Sequence, residues 1–340
     1  WWAYTKANDK HFGWVNAVYA HGGSNDGPFS ANVPNCAGSH GATPGTSTPK
    51  PPPPIQLRRV HYDALGDSYS AGEGLSPYVP GSHTSNDKCD RSQHAWPELA
   101  RPALFLGAFH FYACSGATTA NITTKTQYGP ERRPQSDQPG LNHRTDLVTL
   151  TIGGNDIGFA ASLKYCAKHH SCNKISSFTS TLNRNIAALP VALASAYNAI
   201  RSKITSQTTV VVMGYPQLFP EKPDEQHCFR LHGFGISLFD DGEQNYFNHE
   251  ARVLDGVISE AAARAGFFYV SAISTFRDHA QCASGTPYLN GITISQGGAG
   301  SFHPNSAGHR AYADLLTSFI ALAPGPRTRA GLPHDPAPTG

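Results

Sequence analysis

Between residues 55 and 323 short apolar runs alternate with longer amphipathic stretches. The runs at 60–65, 109–112, 147–152, 210–213 and 267–270 are brief and rich in β-branched or aromatic side chains, which predicts five strands. Helical spacing covers 175–204, 243–265 and 306–322, and Pro190 is expected to kink or interrupt the first of these. Strands that alternate with helices imply a mostly parallel sheet covered on both faces, so the predicted fold class is α/β. In such sheets reactive groups collect at the carboxyl ends of the strands.

The flanks have a different texture. Residues 37–54 are rich in Gly, Ser, Thr and Pro and read as a linker that stiffens toward polyproline II, while 324–340 has the character of a disordered tail. Four regions follow: an N-terminal piece at 1–36, the linker at 37–54, the main body at 55–323 and the tail at 324–340.

Composition narrows the partners. The chain has 340 residues, 39% of them hydrophobic, and a formal net charge of +2 with no basic block, so neither nucleic acid nor an anionic membrane surface is expected. No run is long enough to span a bilayer. The chain opens at WWAYTK without a starting Met, which reads as a processed or cut product. Seven cysteines beside a single Met suggest an oxidising compartment and a secreted, extracellular protein; the odd count leaves one thiol over.

Three of the predicted strands end in clusters of small residues: Gly66-Asp67-Ser68, Cys114-Ser115-Gly116, and Gly153-Gly154-Asn155-Asp156. A parallel sheet puts all three on one edge. The stretch ALGDSYSAGEG at 64–74 hands a strand over to a helix through a sharp corner, and Ser68 there suits either a nucleophile or an ordinary helix N-cap. Acyl transfer through serine needs a hydroxyl, a base and fixed donors for the developing oxyanion. Ser68 can supply the first; the backbone N–H groups of Ser68 and Gly116 and the Asn155 amide can supply the donors. Among 17 histidines, His303 in SFHPNSAGH stands out, poised before a proline and a helix start after the last predicted strand.

These four blocks, in this order, resemble the SGNH or GDSL-type esterase and lipase family, above all its secreted actinobacterial esterases, lipases and phospholipases. The likeness spans about residues 58–323. It implies Ser68 as nucleophile, His303 as general base and acid, and an oxyanion hole of Ser68, Gly116 and Asn155. It also implies a flavodoxin-like three-layer sandwich of about five parallel strands, no cofactor and an ester or lipid substrate. A G-x-S-x-G elbow is absent, which removes the main signature of the ordinary α/β-hydrolases. Many relatives carry an Asp three residues before the histidine, and here that position is Gly300. Either Asp278 replaces it, or, as in some actinobacterial relatives, a main-chain carbonyl of Gly300 or Ser301 orients the ring, which makes a Ser68–His303 dyad.

The resemblance also implies the disulfides Cys89–Cys114, Cys166–Cys172 and Cys228–Cys282. Cys166, His169, His170 and Cys172 could be read as a zinc site, but their spacing matches no usual zinc module, and no metal is expected. Cys36 stays unpaired, in an N-terminal piece that resembles the end of a bacterial SH3-like domain or is a plain extension; it is the candidate for contact with a cell wall. Loops 75–107 and 217–242 are expected to wall the substrate groove, with Phe219, Phe229, Phe234 and Phe239 suggesting an apolar acyl site. The leading expectation is a monomeric serine carboxylic ester hydrolase. Its alternatives are a carbohydrate O-deacetylase of the same fold and a cell-wall-binding protein with an inactive hydrolase domain.

Overall fold

The computed structural model describes residues 2–6, 12–16, 60–104, 106–128, 133–169, 171–221, 239–281, 283, 285–292 and 300–322. The chain divides into two units, 1–56 and 57–340. In the first, strands β1 (Trp2–Lys6) and β2 (Phe12–Asn16) pair antiparallel.

The second unit is built on β3 (Val60–Ala64), β4 (Leu106–Phe111), β5 (Leu147–Leu150), β6 (Thr209–Met213) and β7 (Phe268–Val270). They form one parallel sheet in the order β4-β3-β5-β6-β7. The helices are α1 (Ser68–Ala71), α2 (Trp96–Ala100), α3 (Thr119–Thr123), α4 (Phe159–Cys166), α5 (Ser176–Arg201), α6 (Asp241–Arg264), α7 (Ile273–Phe276) and α8 (Ser306–Leu322). Successive strand residues point to opposite faces, and β6 shows what this does. Val211 and Met213 pack with Trp96 of α2 and Tyr312 and Leu316 of α8, whereas Val210 and Val212 pack with Leu193 of α5 and Leu254 and Ile258 of α6. The result is a three-layer α/β sandwich whose sheet is covered on both sides.

Of the kink or interruption expected at Pro190, the interruption does not occur: α5 runs through it. A proline in a helix interior is unfavourable by about 3 kcal/mol. Seven side chains on the same helix are buried, from Leu182 to Ile200. Each large one contributes roughly 1.5–3 kcal/mol, so the apolar face prevails. Helix α6 starts two residues before its expected boundary because Asp240 caps it: its carboxylate accepts from Glu243 N–H at 2.8 Å while Glu243 Oε2 accepts from Asp240 N–H at 2.9 Å.

The order of strands places the chemistry. From β3 the chain moves outward to β4, then returns across β3 to β5 and continues to β6 and β7. That reversal opens a crevice at the carboxyl ends of β3 and its two neighbours, and these are the strands that carry the three small-residue clusters.

Candidate active site

The corner after β3 is held rigidly. Gly66 has φ +121°, and a Cβ there would lie 2.5 Å from the Thr151 carbonyl oxygen, so only glycine fits. The buried Gln135 side chain grips the same residue from both sides, accepting from Gly66 N–H at 2.7 Å and donating to its carbonyl at 2.9 Å. Asp67, not Ser68, is the N-cap of α1, its carboxylate accepting from Tyr69 N–H at 3.1 Å. Ser68 is thereby released from capping.

Asp67 also accepts from Thr151 Oγ1 at 2.7 Å and from the Tyr215 hydroxyl. Burial pushes its carboxyl up to about 6, against the pull of these hydrogen bonds and of His303. The Tyr215 hydroxyl in turn accepts from Gly154 N–H at 3.2 Å, which links the corner after β3 to the loop after β5.

His303 lies on the loop before α8, and its Nε2 stands 2.7 Å from Ser68 Oγ. Its Nδ1 stands 3.0 Å from the Ser301 carbonyl. Of the two carbonyls considered from sequence, that of Gly300 is otherwise engaged, accepting from His303 N–H at 3.1 Å and from Asn290 Nδ2 at 3.2 Å. Asp278 sits in the short turn Arg277–His279 and makes no ion pair with His303. Among the described residues, the carboxylate within 4 Å of a His303 nitrogen is that of Glu73, with Oε2 3.8 Å from Nε2. Tyr69 braces the ring: the aromatic centroids are 5.2 Å apart, and the Tyr69 hydroxyl donates to the Phe302 carbonyl at 2.6 Å.

The donors converge from the two flanking strands. Gly116 has φ +77°, with open space where a Cβ would point. Among the described residues, neither Ser68 N–H nor Gly116 N–H has an intrachain acceptor. Asn155 donates one Nδ2–H to the Ala117 carbonyl at 3.0 Å, leaving the second for a ligand. Asp156 accepts from Thr119 N–H at 3.0 Å and from its hydroxyl at 2.5 Å, tying the loop after β5 to the start of α3. The Cys89–Cys114 disulfide anchors the strand end that leads to Gly116.

Ser68, Gly116, Asn155, His303 and Glu73 all line a cavity of ≈ 510 Å³. Its remaining walls match those expected only in part: Leu218 is the described residue of 217–242 that lines it. The others include Phe159, Ala160, Leu163 and Lys164 of α4, Lys168 just beyond it, Tyr215 and Pro216 after β6, and Ala251 and Leu254 of α6. Among its described residues, loop 75–107 supplies none of the lining. Phe219 and Phe239 are core residues, 1% and 0% exposed, packed against each other; Phe229 and Phe234 lie outside the described residues. Cys166 and Cys172 are bonded to each other, which leaves no thiolate for a metal. His169 packs against the Tyr165 ring at a tilt, and His170, Cys36 and the pair Cys228–Cys282 lie outside the described residues.

A family model for the GDSL-like lipases and acylhydrolases matches residues 64–311. The chain belongs to this family. It is therefore a carboxylic ester hydrolase of the GDSL type, and the likeness extends to individual relatives. Lipase 1 of Streptomyces coelicolor is 33% identical over 247 residues, which cover 73% of this chain and 81% of that lipase. The crystal structure of phospholipase A1 from Streptomyces albidoflavus NA297 is 33% identical and superposes with a TM-score of 0.62, covering 76% of this chain and 98% of that one. An extracellular lipase from Streptomyces rimosus follows at 31% identity and a TM-score of 0.59, with coverage of 76% and 98%. Among the described residues of this GDSL hydrolase no helix is long and apolar enough to cross a membrane.

Proposed function

We propose that the chain is a secreted lipase or phospholipase A that works through an acyl-enzyme on Ser68. His303 takes the Ser68 proton as Oγ attacks the ester carbonyl. The N–H groups of Ser68 and Gly116 and the free Asn155 amide hydrogen hold the tetrahedral oxyanion. His303 then protonates the leaving alcohol, and water clears the acyl group by the same steps in reverse. The Ser301 carbonyl fixes the imidazole tautomer in place of an acid. The observation that carries this reading is the line Ser301 O, Nδ1, Nε2, Ser68 Oγ, with separations of 3.0 and 2.7 Å at its two ends.

The acyl preference follows from the cavity. A volume of ≈ 510 Å³ with a largely apolar surface is far larger than an acetyl group requires, which favours medium or long chains over O-deacetylation. Secretion is supported by the two disulfides and by the extracellular lipase among the relatives.

A chain-length series of p-nitrophenyl esters, run beside Ser68→Ala and His303→Ala, tests the reading. Turnover should peak beyond butyrate and vanish in both variants. A peak at acetate would make the enzyme a deacetylase, and no turnover on any ester would leave a binding role.

A further inference from the structure

We propose that the Glu73 carboxylate is a working part of the reaction: it stabilises, through space, the positive charge that His303 acquires in each half of the cycle. The proposal rests on the Ser68–His303 reading above. Among the described residues the Nδ1 partner is the neutral Ser301 carbonyl, which orients the ring but adds no full charge, while the buried Asp67 carboxylate, which also feels His303, is committed to Thr151, Tyr215 and Tyr69 N–H. On its Nε2 side Glu73 Oε2 stands 3.8 Å away, too far to capture the proton in a hydrogen bond and close enough for a strong Coulomb interaction. The two side chains are 15% and 19% exposed, so water screens the pair only in part.

The chain builds this arrangement in one turn. Glu73 follows Gly72, the left-handed cap of α1, and its N–H donates to the Ser68 carbonyl at 3.2 Å. Nucleophile and carboxylate are thus fixed to the same corner. Lys164 and Lys168 line the same, largely apolar cavity, but among the described residues no Lys or Arg comes within 4 Å of the Glu73 carboxylate. With no cation in direct contact, the Glu73 carboxylate is left to act on the charge that appears on His303.

The proton inventory is consistent with that role. As the bond between Oγ and the carbonyl carbon forms, the Oγ proton moves to Nε2, giving an oxyanion and an imidazolium. Collapse breaks the bond to the leaving oxygen, which takes the Nε2 proton. Water then attacks the acyl carbon and gives a proton to Nε2, and this proton returns to Oγ as Ser68 leaves. Glu73 neither gains nor loses a proton in the cycle.

The test compares Glu73→Gln and Glu73→Asp with the parent enzyme on an uncharged p-nitrophenyl ester of medium chain, reading kcat, KM and Tm separately. Glu73→Gln should lower kcat about tenfold or more, the size a partly screened charge pair of this separation supports. KM should stay within about twofold, and Glu73→Asp should recover much of the loss. If Glu73→Gln destabilises the fold, the rate at which diethyl p-nitrophenyl phosphate labels Ser68, per folded molecule, replaces kcat, because that step also charges His303. An unchanged kcat, or a loss confined to KM, overturns the proposal. Activity that survives in Ser68→Ala or His303→Ala overturns instead the reading on which it rests.

Discussion

Asn155 and Asp156 are neighbours with separable duties. Asp156 is committed to Thr119, whose backbone N–H and hydroxyl both donate to its carboxylate, and so shapes the loop. Asn155 gives one amide hydrogen to Ala117, and in the proposed mechanism the other serves the oxyanion. Asn155→Ala should therefore lower kcat by roughly 10² to 10³ with little change in KM, since an oxyanion donor acts chiefly in the transition state. A thermal melt of the variant close to the parent's would locate the loss in chemistry; a loss that appears in KM would place the amide in ground-state binding. That Ser68, His303, Gly116 and Asn155 would gather at one cavity was legible in the sequence because each lies in a short block of residue types suited to one reaction. Gln135 and Tyr215 were not: they reach the corner from 69 and 148 residues away, and no local pattern announces such contacts. Glu73 stood in view inside SAGEG, but its relation to His303 exists only once α8's leading loop folds over it.

Helix α4 is the element the sequence concealed and the cavity depends on. It is eight residues long and starts after Gly158 without a side-chain cap, so neither length nor a start signal marks it, whereas the long periodic segments of α5, α6 and α8 were legible to within a few residues. Expectation for the groove walls fell instead on aromatic-rich loops whose described phenylalanines belong to the core. Cys166 ends α4 and is bridged to Cys172, whose N–H donates to the Glu243 carboxylate at 3.0 Å at the start of α6. The two cavity walls are thereby tied together. Closing so short a loop stabilises the fold by only about 2 kcal/mol on the chain-entropy model, so its removal should leave a folded enzyme. The double variant Cys166→Ala, Cys172→Ala is expected to lose its preference for long acyl chains, with KM for a long-chain ester rising several-fold while acetate turnover holds. A chain-length profile identical to the parent's would show that α4 keeps its place without the bridge.

At the scale of the whole molecule, the sheet's reversal at β3 brings the site together, and it also buries ionisable groups whose proton balances oppose one another. His309, fully buried beside Trp96, is held down to about 3 by burial with a smaller contribution from His303, below its ordinary 6.5. Between those values the unfolded chain binds a proton that the native state refuses, so stability falls as pH falls, by up to about 1.4 kcal/mol per pH unit. Asp67 has the opposite sign. Burial lifts it from 3.8 to about 6, so within that window the native state binds the extra proton and stability rises as pH falls. Asp63, Asp156, Asp255 and Glu250 are raised by burial as well and act in the same direction as Asp67. His309 therefore masks part of the acid tolerance that the buried carboxyls confer. His309→Gln keeps an acceptor for the Trp96 N–H, which His309 Nδ1 now receives at 3.2 Å, and removes the titration. Calorimetric melts at pH 7, 6, 5 and 4 should show a variant that is less stable than the parent at pH 7, through imperfect packing, and that gains on it at each step down. Parallel curves would mean that position 309 takes up no proton on unfolding in this range, and the acid response would then rest with other groups.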